Sequence, residues 1–239
     1  MDNDTRVIVL LGPPGSGKGT QAARLAEELD LTPISTGELL RNEADSGSAL
    51  GEKVRDILAS GHLVGNDLMN QVVASRLASD DCHRGCILDG YPRTVDQARY
   101  LDDLLRRNGL AEPIIFDFVV SPEQVVERLS HRRQCPACHR IYSAEVDVYG
   151  KDLHCNCELD GTPLVRRADD NPDSIRERLH IYDTNSRDMV RFYESRCYFA
   201  VDAMAAPAAI DHRLMELIDG LIQGSRPVVE RAVLSTCTR

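Results

Sequence analysis

The stretch Val7-Ile8-Val9-Leu10-Leu11-Gly12-Pro13-Pro14-Gly15-Ser16-Gly17-Lys18-Gly19-Thr20 decides the fold. Val7 to Leu11 is an unbroken apolar run with β-branched residues at its start, the pattern of a strand buried on both faces of a parallel sheet. A glycine-rich turn follows. The next residues, from Gln21, have helical spacing, with Ala22, Leu25, Ala26 and Leu29 on one face. Strand, glycine turn and helix in that order are the context of a phosphate-binding loop. Gly12, Gly15, Gly17 and Gly19 lack Cβ atoms and allow positive φ, so backbone N–H groups can converge on one anion. The helix start adds unpaired donors and a positive dipole end. Lys18 offers a mobile charge for β- and γ-phosphates. Gly19 stands where Ser or Thr is usual, which leaves Thr20 as the candidate Mg²⁺ contact.

Downstream, strands and helices alternate. Thr32 to Ile34 reads as a short strand feeding a helix capped by Ser35 or Thr36. Segment 49–59 is helical and ends at Gly61. Asn66 reads as the cap of a helix from Asp67 to Ser79. Gly85 to Gly90 is a second buried strand with Asp89 at its end, and Thr94 to Asn108 a helix. Pro113 to Val120 is a third, almost wholly apolar strand, and Ser121-Pro122-Glu123 opens the next helix. Asp173 to Phe192 is a long helix, Cys197 to Asp202 a last strand, and Asp211 to Leu221 a last helix. Such alternation predicts an α/β fold, a parallel sheet with helices on both faces. Ligands of these sheets sit at the carboxyl ends of the strands. Gly12–Thr20, Thr36, Asp89–Arg93 and Ser121 all follow strands and are expected to share one crevice.

The chain has 239 residues, enough for one domain with insertions. No run of about 18 apolar residues exists, so no transmembrane helix is expected. The acidic start Met1 to Arg6 leads straight into a strand and lacks the pattern of a signal peptide, so a cytoplasmic enzyme is expected. A net charge of −10 argues against a nucleic-acid partner. The 25 arginines far outnumber the 3 lysines, which favours bidentate phosphate contacts. Cys82, Cys86, Cys197 and Cys237 are scattered and read as incidental thiols. The other four cysteines fall within 135–157.

Leu88-Asp89-Gly90-Tyr91-Pro92-Arg93-Thr94 is the second informative stretch. Asp89 ends an apolar strand, where an acid can orient Mg²⁺ or its waters. Gly90 lets a ligand approach the backbone, and Arg93 offers a planar fork for phosphate. The phosphate loop, Ile34-Ser35-Thr36-Gly37-Glu38-Leu39-Leu40-Arg41, the Asp89 motif and Arg167-Ala168-Asp169-Asp170 occur in the order found in the nucleoside monophosphate kinases. Over roughly residues 6–220 the chain resembles the adenylate kinase family.

The resemblance implies a P-loop-type core, here 1–35, 65–133 and 166–223, with an AMP-binding segment at 36–64 and a lid at 134–165. It implies reversible Mg²⁺-dependent phosphoryl transfer, ATP + AMP = 2 ADP, by a monomer with no membrane partner. A GTP:AMP phosphotransferase or another nucleoside monophosphate kinase is the alternative. By position, Gly15, Ser16, Gly17, Lys18, Gly19 and Thr20 would hold the donor phosphates. Arg132, Ile141, Tyr142 and the Ala205 backbone would contact ATP. Thr36, Arg41, His62, Leu63, Val64, Gly90, Tyr91, Pro92, Arg93, Gln97, Arg167 and Arg178 would form the AMP site. Lys18, Arg93, Arg132, Arg167 and Arg178 would stabilise the transferring charge. Arg128 and Arg132, four apart, are expected on one helix face. Arg106, Arg107 and Arg140 read as solvated surface residues.

Cys135-Pro136-Ala137-Cys138 is a knuckle with the spacing zinc favours. The resemblance implies Cys157 and Asp160 as the third and fourth ligands of a structural Zn²⁺. Cys155, or His154, is an alternative fourth ligand. The tail 224–239 has no counterpart in the family and is expected to be flexible.

Overall fold

The computed structural model describes residues 6–144 and 155–223; His154, Cys237 and the tail 224–239 lie outside the described residues. The elements are β1 (Arg6–Leu11), α1 (Lys18–Leu29), β2 (Thr32–Ser35), α2 (Thr36–Asp45), α3 (Ala49–Ser60) and α4 (Asn66–Leu77). They continue with β3 (Gly85–Asp89), α5 (Val95–Arg107), β4 (Ile114–Val119), α6 (Pro122–His131), β5 (Arg132–Gln134) and β6 (Ile141–Ser143). The chain then forms α7 (Pro172–Tyr193), β7 (Tyr198–Asp202) and α8 (Pro207–Ile222).

Five strands form one sheet in the order β2-β3-β1-β4-β7, and every pairing is parallel. β1 is central because its side chains are apolar on both faces. Val7, Val9 and Leu11 pack among Val73, Leu101 and Tyr193 of α4, α5 and α7. Ile8 and Leu10 point the other way, onto Leu25 of α1 and Leu214 and Ile218 of α8. Removing one such aliphatic side chain from water stabilises the fold by about 1.5–3 kcal/mol, so the doubly covered strand anchors the loop that follows it.

Helix α2 is capped by Ser35, whose Oγ accepts the Glu38 N–H at 3.4 Å. α3 ends at Gly61, which sits in the left-handed region at φ 80°. The Ser174 hydroxyl donates to the Ala59 carbonyl at 2.6 Å and pins α3 to α7. The insertion leaves the core as the antiparallel ribbon β5–β6. A bridge between Gln134 and Val165 closes its neck.

Three sequence expectations change. Asn66 does not cap α4: Gly65 precedes the helix, and no side-chain cap bond forms. The Asn66 oxygen is used by Gln97 instead. Arg128 and Arg132 do not share a helix face, because α6 ends at His131 and Arg132 is already extended at ψ 131°. Ser121 follows β4 but does not reach the crevice; its Oγ caps α6 by accepting the Gln124 N–H at 3.4 Å.

Candidate active site

One cleft of about 1250 Å³ opens at the carboxyl ends of β1, β2, β3 and β4. It exceeds the roughly 300–1,000 Å³ of a single small-molecule pocket. Gly15, Ser16, Gly17, Lys18, Gly19 and Thr20 line one end. Thr36, Arg41, His62, Leu63 and Val64 line the wall contributed by α2 and the turn after α3. Asp89, Gly90, Pro92, Arg93 and Gln97 lie on the floor between them. Arg132, Ile141, Tyr142, Arg167, Arg178 and Ala205 complete it.

Tyr91 is the exception among the residues expected there. It is fully buried in the core, with its hydroxyl donating to Asn70 Oδ1 at 2.6 Å. Arg140 is exposed, as expected of a solvated surface residue, and also borders the cleft.

Local backbone chemistry builds the floor. A Cβ on Gly19 would lie 3.3 Å from Asp89 Oδ2. The strand-end acid therefore crowds the place where a Ser or Thr side chain would start. Gly90 has φ 83°, and a Cβ there would meet Thr36 Oγ1 at 2.9 Å and Arg93 at 3.0 Å. Only glycine fits that position.

The cations are held in distinct ways. Lys18 folds onto its own loop, donating to the carbonyls of Gly12 at 2.9 Å and Pro13 at 2.7 Å and to Ser16 Oγ at 3.1 Å. Burial pushes its ammonium down to about 8, with Arg93 and Arg178 adding to the effect against Asp89. Arg93 Nε donates to the Gly90 carbonyl at 2.7 Å. Arg132 pairs bidentately with the fully buried Asp170, with Nε to Oδ2 at 2.7 Å. Arg178 donates to Asp169 at 2.8 Å and lies 3.6 Å from Asp170. Arg167 Nε donates to Gln134 Oε1 at 2.7 Å.

Burial lowers Arg167 to about 9 and Arg178 to about 10, and it also holds Arg41 and Arg93 below the usual guanidinium range. A guanidinium keeps its proton at neutral pH. The displacements reflect chiefly the cost of taking these cations out of water, with repulsion among neighbouring arginines adding to it. Asp169 is the counterweight: burial opposes its ionisation, but Arg178, Arg132, Arg41 and Arg167 outweigh that and hold its carboxyl below the ordinary range.

Several contributors had no role in the site assigned from the sequence. Asp169 and Asp170 were visible beside Arg167 but had no assigned partner. Gln21 and Arg128 tie the loop around Ala205 to the phosphate loop. Gln21 Nε2 donates to the Pro207 carbonyl at 2.8 Å, and Arg128 to the Ala203 carbonyl at 2.8 Å. Asp117 interrupts the apolar run of β4 and lines the cleft. Burial pushes its carboxyl up, against the hydrogen bond from Tyr198 at 2.6 Å. The polar residue inside an otherwise apolar strand was its only sequence signal.

In the insertion, one donor atom from each of Cys135, Cys138, Cys157 and Asp160 lies within 4.8 Å of all the others. Cys138 Sγ is 3.6 Å from Cys157 Sγ, and Cys135 Sγ is 3.6 Å from Asp160 Oδ2. A tetrahedral ion with bonds of about 2.3 Å to sulfur needs donors about 3.7 Å apart, so the donor set fits one metal ion. Cys155 is exposed and stands outside this group of four.

A parallel sheet that places such a cleft at the end of a glycine-rich loop and its helix defines a P-loop nucleotide-binding protein. The family model described as adenylate kinase matches residues 10–198. An adenylate kinase of Anaeromyxobacter sp. (strain K) is 41% identical over 205 residues, covering 85% of this chain and 95% of the relative. One from Thermosipho melanesiensis is 40% identical over 212 residues, covering 88% and 98%. One from Finegoldia magna is 38% identical over 209 residues, covering 87% and 96%. The chain belongs to the adenylate kinase family. Among the described residues no helix is long and apolar enough to cross a membrane.

Proposed function

We propose that the chain catalyses ATP + AMP = 2 ADP, with ATP and AMP lying phosphate to phosphate along the cleft. The observation that carries this reading is the convergence of Lys18, Arg41, Arg93, Arg132, Arg167 and Arg178 on one cleft with room for two nucleotides. An oxygen of the AMP phosphate bonds to the γ-phosphorus of ATP as the bond to the β,γ-bridging oxygen breaks. The attacking oxygen is already ionised, so no general base is needed. Catalysis then consists of positioning and of stabilising charge on the transferring oxygens. Gly15 to Thr20 hold the donor phosphates. Ile141, Tyr142 and the Ala205 backbone flank the donor base. Thr36, His62 to Val64, Gly90 to Pro92 and Gln97 surround AMP, Tyr91 through its backbone alone. Thr20 and Asp89 would hold the Mg²⁺ that accompanies ATP, largely through water, and the ion would neutralise charge on the donor phosphates.

Residues 36–64 act as the AMP segment and 134–165 as a lid over the core. Closure of both excludes water and prevents hydrolysis. The protein acts as a cytoplasmic monomer, and its net charge of −10 speaks against a nucleic-acid partner. A coupled assay of ATP, GTP, CTP and UTP against AMP, CMP, UMP and GMP tests the reading. Turnover is expected to be highest for ATP with AMP; a preference for GTP as donor would establish the alternative phosphotransferase.

Lys18 makes donor binding pH-dependent. The free protein holds this ammonium at about 8, and a bound polyphosphate raises it again. Affinity is therefore level below pH 8 and falls as pH rises through 8, because binding must then take up a proton. Calorimetric titration of ATP, whose phosphates are already ionised at the start of the range, between pH 7.5 and 9.5 checks this; a flat dissociation constant across that range would contradict it.

Cys135, Cys138, Cys157 and Asp160 hold a structural Zn²⁺, since four protein donors leave no open position for chemistry. Purified protein is expected to contain one zinc per chain. Removing it with a chelator should lower the melting temperature and expose three further thiols to titration. Zinc far below one per chain, with those thiols already reactive, would reject the assignment.

A further inference from the structure

Asn66 stands where the sequence suggested a helix cap, yet its side chain serves a residue 31 positions away. We propose that Asn66 is a positioning residue that sets the base specificity of the acceptor site. It does so by fixing which half of the Gln97 amide meets the purine. The inference rests on the reading of Gln97 as the contact to the acceptor base.

The orientation follows from donors and acceptors alone. The Arg93 backbone N–H donates to Gln97 Oε1 at 2.8 Å. A backbone N–H cannot accept, so the Gln97 atom facing it must be oxygen. Gln97 Nε2 then points the other way and donates to Asn66 Oδ1 at 2.9 Å. Because that partner is a donor, the Asn66 atom facing it must also be oxygen. Thr94 completes the chain: its Oγ1 accepts the Gln97 N–H at 3.3 Å and donates to the same Asn66 oxygen at 3.4 Å. Gln97 is 1% exposed and lines the cleft, whereas Asn66 does not.

One N–H and one lone pair of the Gln97 amide remain for a ligand. A 6-amino purine offers a donor at N6 and an acceptor at N1, and it matches such a pair. A 6-oxo purine in the same place offers an acceptor at O6 and a donor at N1. An amide that cannot turn over meets it with like against like, leaving buried polar groups unpaired. Asn66 is thus the outer stop that holds the amide in the register for adenine.

Kinetics of the full-length protein with AMP and with IMP as acceptors test this. Asn66→Leu is expected to raise KM for AMP about tenfold and to reduce the preference for AMP over IMP by a similar factor, the worth of one half-buried hydrogen bond. KM for ATP should stay within about twofold. Asn66→Asp keeps the acceptor oxygen and should restore both values, which separates positioning from general damage to α4. The inference is overturned if Asn66→Leu leaves KM and preference within twofold of the parent, or if Asn66→Asp behaves like Asn66→Leu. A parent protein that uses IMP as well as AMP would overturn the reading of the acceptor site itself, and this inference with it.

Discussion

Arg93→Ala is expected to lower kcat by about 10³-fold while leaving the fold intact. The guanidinium lies deep in the cleft, shielded from bulk water on most sides, but its own surface is accessible to solvent. Among the described residues it makes one hydrogen bond, from Nε to the Gly90 carbonyl at 2.7 Å, so little packing depends on it. That bond uses one edge of the fork and leaves the remaining N–H groups for phosphate oxygens. An arginine placed against the transferring group is worth about 10³–10⁵ in turnover, and the lower figure corresponds to about 4 kcal/mol of barrier. Arg93→Lys keeps the charge without the planar fork and should recover only part of the loss. Steady-state rates at saturating ATP and AMP, beside a thermal melt by circular dichroism, provide the check. A kcat within tenfold of the parent would remove Arg93 from the transition-state contacts.

Asp170→Asn is expected to cost both stability and turnover. Asp170 is fully buried, accepts bidentately from Arg132 and lies 3.6 Å from Arg178. Removing one partner of a buried pair leaves an uncompensated charge, at about 3–5 kcal/mol. Asparagine keeps the shape and one acceptor, so the lower end, about 3 kcal/mol, is expected from denaturant unfolding. Turnover falls because Arg132 and Arg178 lose the carboxylate that aims them. Replacing both partners, as Asp170→Leu with Arg132→Met, should recover much of the stability but none of the turnover. If Asp170→Asn unfolds within about 1 kcal/mol of the parent, this pair is not what holds the arginines in place.

The two variants probe different kinds of placement. Arg93 is positioned by a turn, within three residues of its partner carbonyl. Arg132 is positioned across the fold, by an acid 38 residues further on. Loss of the first should be felt only in chemistry, and loss of the second in the structure as well.

The same difference explains what could be read from the chain. The phosphate loop was legible because strand, glycines and helix are adjacent and each obeys a local rule. Asp89 and Arg93 were legible because a strand end and a glycine turn present them directly. The donor set Cys135, Cys138, Cys157 and Asp160 was implied by spacing and resemblance, while only coordinates separated Asp160 from Cys155. Local rules also misled. Asn66 has the chemistry of a cap, and Arg128 and Arg132 the spacing of a helix face. The Ala203 carbonyl claimed Arg128, a buried acid claimed Arg132, and Gln97 claimed Asn66.

The sequence by itself determined the α/β alternation, the phosphate loop and most of the side chains that line the cleft, since each rests on residues close along the chain. Tertiary structure alone decided the strand order β2-β3-β1-β4-β7, the burial of Tyr91, and the partners that aim Arg132, Arg167 and Gln97. Those choices depend on which polar groups lose water together, and residues 31 to 38 apart meet that condition only once the sheet and its helices have packed.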